Sequence, residues 1–407
     1  MVRSSPRAIE QAGELMIRFV ERTGLTSDLP KRRYLWTDAF AVCNFVGLAQ
    51  ATGEDRYTEL ALALIEQVHH LLGSYRPDDS RSGWISGLSE QEGEAHPTRG
   101  GLRIGKELPE RGISEPFDDQ LEWRRDGQYF HYLSKWMHAL DQVSRWTGDP
   151  RFNTWARELA SAAHHAFVHT TRTGRGMVWK MSTDLSRPLV PSMGHHDPLD
   201  GFITYAQLQM TKSLWPNAPD EPSLRKATSD FAHMMVGKDW ATADPLGLGG
   251  LLTDASRVAR LMRFGVVELG QLLETLLADA LRGLAHYAAR DDLSQPASQR
   301  LAFRELGLAI GLSAIALVHE DARAEEDPVP YGAEVRDRIE GLRPYLSIGS
   351  AIESFWLDPE HRSTNSWSEH RDINEVMLAT SLVPDGFLMI RAVTPRSTGA
   401  PTGLSDL

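Results

Sequence analysis

Thr52-Gly53-Glu54-Asp55-Arg56-Tyr57 opens a helical run that ends in His69-His70. About 95 residues further on, Thr147-Gly148-Asp149-Pro150-Arg151-Phe152 opens a run that ends in His164-His165. Trp84, beyond the first run, falls in register with Trp179 beyond the second. Landmarks kept in register over such a shift mark copies of one supersecondary unit. The unit reads as a helical hairpin. Tyr57, Leu60, Ala61, Leu64, Val68, Leu71 and Leu72 recur at threes and fours, and Phe152, Trp155, Leu159, Ala163, Ala166 and Phe167 repeat the pattern. Each set is one apolar stripe along a helix. Another helix precedes each turn, over 36–51 and 128–146. Gly53 and Gly148 end those helices, and the acidic residue that follows sits where the next helix dipole favours it.

Further hairpins follow with less regular spacing. Residues 198–214 and 222–236 form a third, and 248–263 with 266–290 a fourth. A strongly apolar helix covers 297–319, and 333–357 with 369–382 read as the last pair. The count is eleven or twelve helices, with no convincing alternating strands. Gly83-Trp84-Ile85 and Gly176-Met177-Val178-Trp179 are short extended pieces that could pair across one end. Two long connections interrupt the pattern, at 86–125 and 170–198. A connection of the first one's length is commonly a lid, a binding loop or disordered. The expected organisation is a single domain over 1–393 and a loose tail over 394–407, rich in Pro, Gly, Ser and Thr.

Composition bounds the function. With 41% hydrophobic and 24% charged residues, the 407-residue chain is an ordinary globular protein. A net charge of -12 and the lack of any Lys/Arg block speak against nucleic acid. The single cysteine, Cys43, stands in an apolar run and reads as a buried small hydrophobe. The polar N-terminus does not read as a signal peptide, no run of about 18 apolar residues suggests a membrane span, and a cytoplasmic protein is the default. No cofactor is implied, and nothing sets the oligomeric state.

Repeated hairpins with Thr-Gly-acidic turns, Trp-bearing loops and about a dozen helices resemble the six-hairpin glycosidase group. The resemblance covers roughly residues 30–390. It implies an all-α fold, an (α/α)6 toroid, and carbohydrate chemistry. No motif places the chain in one glycosidase family, and one fold hosts many functions.

In such a toroid the segments leading into the inner helices supply the site. Here they carry Trp36 and Asp38; Asp126 and Tyr129; His195, His196, Asp197 and Asp200; Trp240; and Trp367, Glu369, His370 and Asp372. Sugars stack on Trp and Tyr, and carboxylates bind their hydroxyls, so the set reads as an acidic, Trp-lined cavity. Any single Asp near a helix start is equally an N-cap. Glycoside cleavage needs two carboxyl groups across the bond. Asp126 and Asp200 are the favoured pair, because each stands just before a Gly and a helix with aromatics. Asp126→Asn and Asp200→Asn are then expected to stop turnover while the fold survives. His195 and His196 would serve a sugar epimerase or isomerase as acid and base. They could also bind a metal with His370 and Asp372, or anchor a loop. A third reading is a saccharide-binding or interaction toroid without chemistry. His69-His70 and His164-His165 sit at helix C-termini, where the dipole favours positive charge. Gly100 to Lys106 resembles a phosphate loop but is followed by Glu107 and preceded by no strand. Asp118-Asp119-Gln120-Leu121-Glu122 resembles a magnesium motif but lies in a polar loop, where its acids would rim the cavity mouth.

Overall fold

The Thr-Gly-acidic turn is built the same way in both copies. In the computed structural model, Gly53 and Gly148 both take the left-handed conformation, at φ 74°. Each donates its N–H back to the helix it ends, to Ala49 O and Ser144 O. The preceding threonine folds its hydroxyl onto the helix, Thr52 to Leu48 O and Thr147 to Val143 O, both at 2.8 Å. The same hydroxyl then accepts the N–H of Glu54 or Asp149, both at 3.2 Å. The next helix starts at once, and Asp149 caps it by accepting the Arg151 N–H.

The structure describes residues 4–172, 174–215, 222–265, 269–290, 292–323 and 331–390. The tail expected over 394–407 lies outside them. The chain begins with α1 (Pro6–Arg22), α2 (Leu35–Thr52) and α3 (Asp55–Leu72). The long connection then carries two short helices, α4 (Glu90–Ala95) and α5 (Asp119–Arg124). The second unit is α6 (Phe130–Thr147) with α7 (Pro150–Phe167). After it come α8 (Asp197–Lys212), α9 (Arg225–Met235), α10 (Pro245–Arg263) and α11 (Gly270–Ala288). The last part runs through α12 (Ala302–Arg323), α13 (Ala333–Leu342), α14 (Leu346–Leu357), α15 (Asn365–Ser368), α16 (Arg371–Leu382) and α17 (Asp385–Leu388).

Six helices form an inner ring. Helix α2 packs on α6, α6 on α8, α8 on α10, α10 on α12, α12 on α16, and α16 closes the circle on α2. The outer layer pairs α3 with α2, α7 with α6, α9 with α8, α11 with α10, and α13 and α14 with α12. The outer partner of α16 is the N-terminal helix α1. The protein is an (α/α)6 toroid. The segment 333–357 and α16 are therefore not one pair, as their order along the chain suggests. The first helix of the chain completes the outer layer over the last inner helix.

Helix α2 is covered on all sides, which explains its lack of a polar face. Every residue of α2 from Leu35 to Ala49 is buried. Helix α12 is long and apolar enough to cross a membrane by length and composition alone, but it is mostly buried within the protein. Its apolar surface is spent inside the ring, between α10, α14 and α16. Backbone meets backbone where α10 crosses α12: a Cβ on Gly249 would stand 2.1 Å from Gly307 O. Cys43 is buried in the α2 wall, and burial pushes its thiol up.

The two ends of the ring differ. Inner-to-outer turns, including both Thr-Gly turns, lie at one end, where α17 plugs the bore against α2, α6 and α10. His138 Nε2 donates to Phe387 O at 2.9 Å, and Gln142 Nε2 donates to Gly386 O at 2.8 Å. The outer-to-inner connections lie at the other end. There β1 (Gln128–Tyr129) pairs antiparallel with β4 (Lys180–Met181), which pairs with β5 (Pro188–Val190). A separate hairpin joins β2 (Val168–Thr171) to β3 (Gly174–Met177). The two extended pieces do not pair with each other: Trp84 bridges to Ser74, and Gly176 to His169.

Candidate active site

The inner helices start at the end away from the plug, and a cavity of about 1410 Å³ opens there. Its floor includes Phe387, whose ring stacks on Phe40 at 4.4 Å, while Phe40 in turn lies 4.4 Å from Trp36. One wall is aromatic. Tyr129 stacks on Trp179 at 5.1 Å and on His131 at 5.6 Å, and Trp123 meets Trp179 edge-on at 5.0 Å. Tyr132 and Tyr34 continue the wall, their hydroxyls 2.6 Å apart. The β1–β4 pairing sets Tyr129 opposite Lys180 and so brings Trp179 alongside.

The long connection that shapes this mouth is an ordered wall. Lys180, fully buried, donates to Glu122 Oε1 at 2.8 Å and to Arg125 O at 2.9 Å. Arg111 pairs with Glu122 at 2.9 Å. Arg81 pairs with Asp79, Glu110 and Asp184 at 2.8–2.9 Å, tying three stretches of chain together. Glu122 is thus spent in the wall rather than at the rim, while its neighbours Trp123 and Arg124 face the cavity. Asp118 caps α5 by accepting the Leu121 N–H. In the glycine-rich stretch, Arg103 is an ion-pair partner of Asp126 and no phosphate loop forms.

Of the residues singled out from sequence, Trp36, Asp38, Tyr129, Glu369, His370 and Asp372 line the cavity. Asp126, Asp200, His195, His196, Asp197, Trp240 and Trp367 do not. Asp126 is fully buried behind the wall. It accepts from Arg103 at 2.5 Å and from the Gly105 N–H at 3.0 Å. Arg103 faces the cavity with Asp126 behind it. Asp200 accepts from Ser134 Oγ, and from Lys135 Nζ at 2.9 Å. Burial pushes its carboxyl up, but Lys135 and Arg257 hold it down at about 2. Asp197 is buried on α8; burial and then the charge of Asp200 push it up to about 7. His195 is exposed, and His196 donates to Trp240 O at 3.0 Å. Trp367 is a core residue stacked on Trp356 at 5.6 Å. Among the described residues no three His, Cys, Asp or Glu side chains converge on a possible metal position.

Asp38 is the acid set deepest in the wall, 1% exposed in the first turn of α2. Burial pushes its carboxyl up to about 6, against the Arg33 guanidinium and the Tyr34 N–H, with the charge of Asp372 adding to the rise. Arg33 Nη1 lies 3.2 Å from Oδ1, and the Tyr34 N–H donates to Oδ2 at 2.8 Å. Asp372, across on α16, pairs with Arg22 at 2.7 Å. Glu369 and His370 are exposed beside it at the mouth.

The cavity is not acidic. Eleven lysines and arginines line it against four aspartates and glutamates, among the described residues. The carboxylates foreseen there sit one layer back, and the cations they hold face inward. His131 and Tyr132 also line it and escape the sequence reading, although they directly follow Tyr129 and Phe130 at the start of α6. Burial, with help from Lys135, pushes His131 down to about 4. The first histidine of each pair at the outer helix ends has a side-chain partner. His69 Nε2 accepts from Trp136 Nε1 at 3.1 Å, and burial pushes His69 down to about 3, so it is neutral. His164 meets Asp230 at 3.0 Å.

No protein-family model matches the chain, and no curated protein does. Solved structures of similar outline exist. A cellobiose 2-epimerase from Spirochaeta thermophila is 13% identical, with a TM-score of 0.47 over 93% of this chain and 98% of that one. An α-1,6-mannanase from Salegentibacter sp. is 13% identical, with a TM-score of 0.48 over 92% and 98%. An α-mannanase from Bacteroides thetaiotaomicron is 8% identical, with a TM-score of 0.44 over 86% and 97%. At these values the chemistry is argued from this chain's own residues.

Proposed function

We propose that the cavity holds a saccharide and that the protein is a carbohydrate-active enzyme, with glycoside hydrolysis as its reaction. The observation that carries this reading is Asp38. It is a cavity-wall carboxyl that keeps its proton up to about pH 6, with a second carboxylate, Asp372, held by Arg22 across on α16. Glycoside cleavage uses one carboxyl group that carries a proton and a second carboxylate as base or nucleophile. Asp38 protonates the leaving oxygen, and Asp372 or the free Glu369 serves the water. Trp36, Tyr129 and Trp179 stack the sugar faces, and His370 binds at the rim. This moves the acid and base from Asp126 and Asp200 to residues of the cavity itself. The cytoplasm is the proposed location, and the one cysteine asks for no oxidising compartment.

A second reading is epimerisation. It rests on imidazoles that line the cavity from different segments, His131 at the start of α6 and His370 just before α16, with His70 at the end of α3 a third, in place of His195 and His196. The test is turnover of an oligosaccharide panel by wild type and Asp38→Asn, with products separated by chromatography. Hydrolysis predicts shorter products and a loss of about 10²–10⁴-fold in the variant. A product of unchanged length but altered configuration would replace hydrolysis with epimerisation. An unchanged rate in Asp38→Asn would remove Asp38 as the acid.

A further inference from the structure

The whole chain carries a net charge of -12, yet the cavity carries an excess of cations. A local field opposed to the overall charge needs a cause, and surface solubility does not supply one. Eight of the eleven have a carboxylate at ion-pair distance. Arg22 pairs with Asp372 and Glu375, Arg32 with Asp372, Arg33 with Asp38, Arg124 with Glu107, Lys135 with Asp200 and Arg304 with Asp244. Arg103 pairs with Asp126 at 2.5 Å, and Arg76 with Asp78 at 2.7 Å. Lys31, Lys106 and Arg371 have no carboxylate at ion-pair distance among the described residues. Lys106 is the one set inside the mouth, half-buried, with Nζ 5.1 Å from the centre of the Tyr34 ring. It therefore stands against the aromatic wall, beside Arg76, which donates to Lys106 O at 2.6 Å. A second feature adds to the field. Five of the six inner helices turn first-turn residues into the cavity, α8 being the exception. The positive ends of five helix dipoles thus converge where these cations lie.

We infer that the substrate is an anionic saccharide, a sugar chain bearing carboxylate, sulfate or phosphate groups, and that Lys106 meets one of those groups. This rests on the saccharide reading above. Ring faces stack on Tyr129 and Trp179, while a negative group supplies the counter-charge that Lys106 lacks. A neutral sugar would leave Lys106 desolvated and unpaired beneath it, which costs binding energy. The geometry suits both a planar carboxylate and a tetrahedral ester.

Calorimetric titration tests this with four probes: an oligogalacturonate, a sulfated oligosaccharide of equal charge, a neutral oligosaccharide of equal length, and hexaglutamate. The expected result is that at least one anionic sugar binds tenfold or more tightly than the neutral one at low salt. That margin should shrink as salt rises, and Lys106→Met should cut affinity for the anionic sugar about tenfold while leaving the neutral one unchanged. Which anionic sugar wins separates carboxylate from ester. Neutral sugar bound as tightly as both anionic ones would overturn the inference and leave the saccharide reading standing. Hexaglutamate bound as tightly as the sugars, or no sugar bound at all, would overturn both. An unaltered affinity in Lys106→Met, with its melting temperature unchanged, would remove Lys106 from the site.

Discussion

The two ends of the ring are made from the same helices and obey different rules. At the plugged end, apart from the α17 plug, chain neighbours meet: α2 turns into α3, and α6 into α7, through two-residue links whose hydrogen bonds are local. At the open end, the walls are joined by side chains far apart in sequence. Arg103 reaches Asp126, Lys180 reaches Glu122, and Lys135 reaches Asp200. The plugged end holds the repeat, and the open end has departed from it. Trp84 and Trp179 show the divergence directly. Both follow an outer helix in equivalent register, but Trp84 is buried over Gly93 while Trp179 faces the cavity.

The contrast can be broken by substitution. The largest expected effect is at the open end. Asp126→Ala leaves Arg103 buried with its carboxylate gone, and should cost about 3–5 kcal/mol in urea unfolding. A loss below about 1 kcal/mol would show that buried ion pairs do not build that wall. Asp126→Asn and Asp200→Asn should likewise weaken the fold, opposite to the expectation from sequence. A smaller effect concerns Asp38 and pH. Its folded carboxyl binds a proton more firmly than an unfolded one, so stability is fully present below about pH 4 and declines as pH rises through 6. In Asp38→Asn the decline should be smaller in thermal melts taken between pH 4 and 7, the remainder belonging to other raised carboxyls such as Asp197. An identical pH dependence in both proteins would contradict the raised value. The smallest effect is at the plugged end. Gly53→Ala and Gly148→Ala meet no atoms within 4 Å, so only the left-handed backbone resists them. Each should cost about 1 kcal/mol. Unequal losses in the two would sharpen the picture by showing that the copies have diverged at this end too.

This division also explains what the sequence discloses. The hairpins, the turn glycines and the burial of Cys43 follow from local pattern, because a helix stripe and a left-handed glycine need only near neighbours. The closure of the ring by α1 does not, since its partner α16 lies at the far end of the chain. Segments that enter inner helices are recognisable as the cavity mouth, and Trp36, Asp38, Tyr129, Glu369, His370 and Asp372 do line the cavity. Which carboxylate faces inward is not legible there. Asp126 and Asp38 look alike in sequence, but Arg103 and two backbone N–H groups hold Asp126 behind the wall. The cations are hidden for the same reason. Arginines scattered through loops read as solvated until the fold gathers them around one space.

The most direct test of the open end as a sugar site is binding of oligosaccharides to wild type and Trp179→Ala, followed by tryptophan fluorescence and calorimetry. Trp179 stands at the centre of the aromatic wall, between Trp123 and Tyr129. A saturable response in wild type, weakened tenfold or more in the variant as expected for a central aromatic anchor, is the predicted result. Equal affinity in the two proteins, or no response to any neutral or charged sugar, would contradict it.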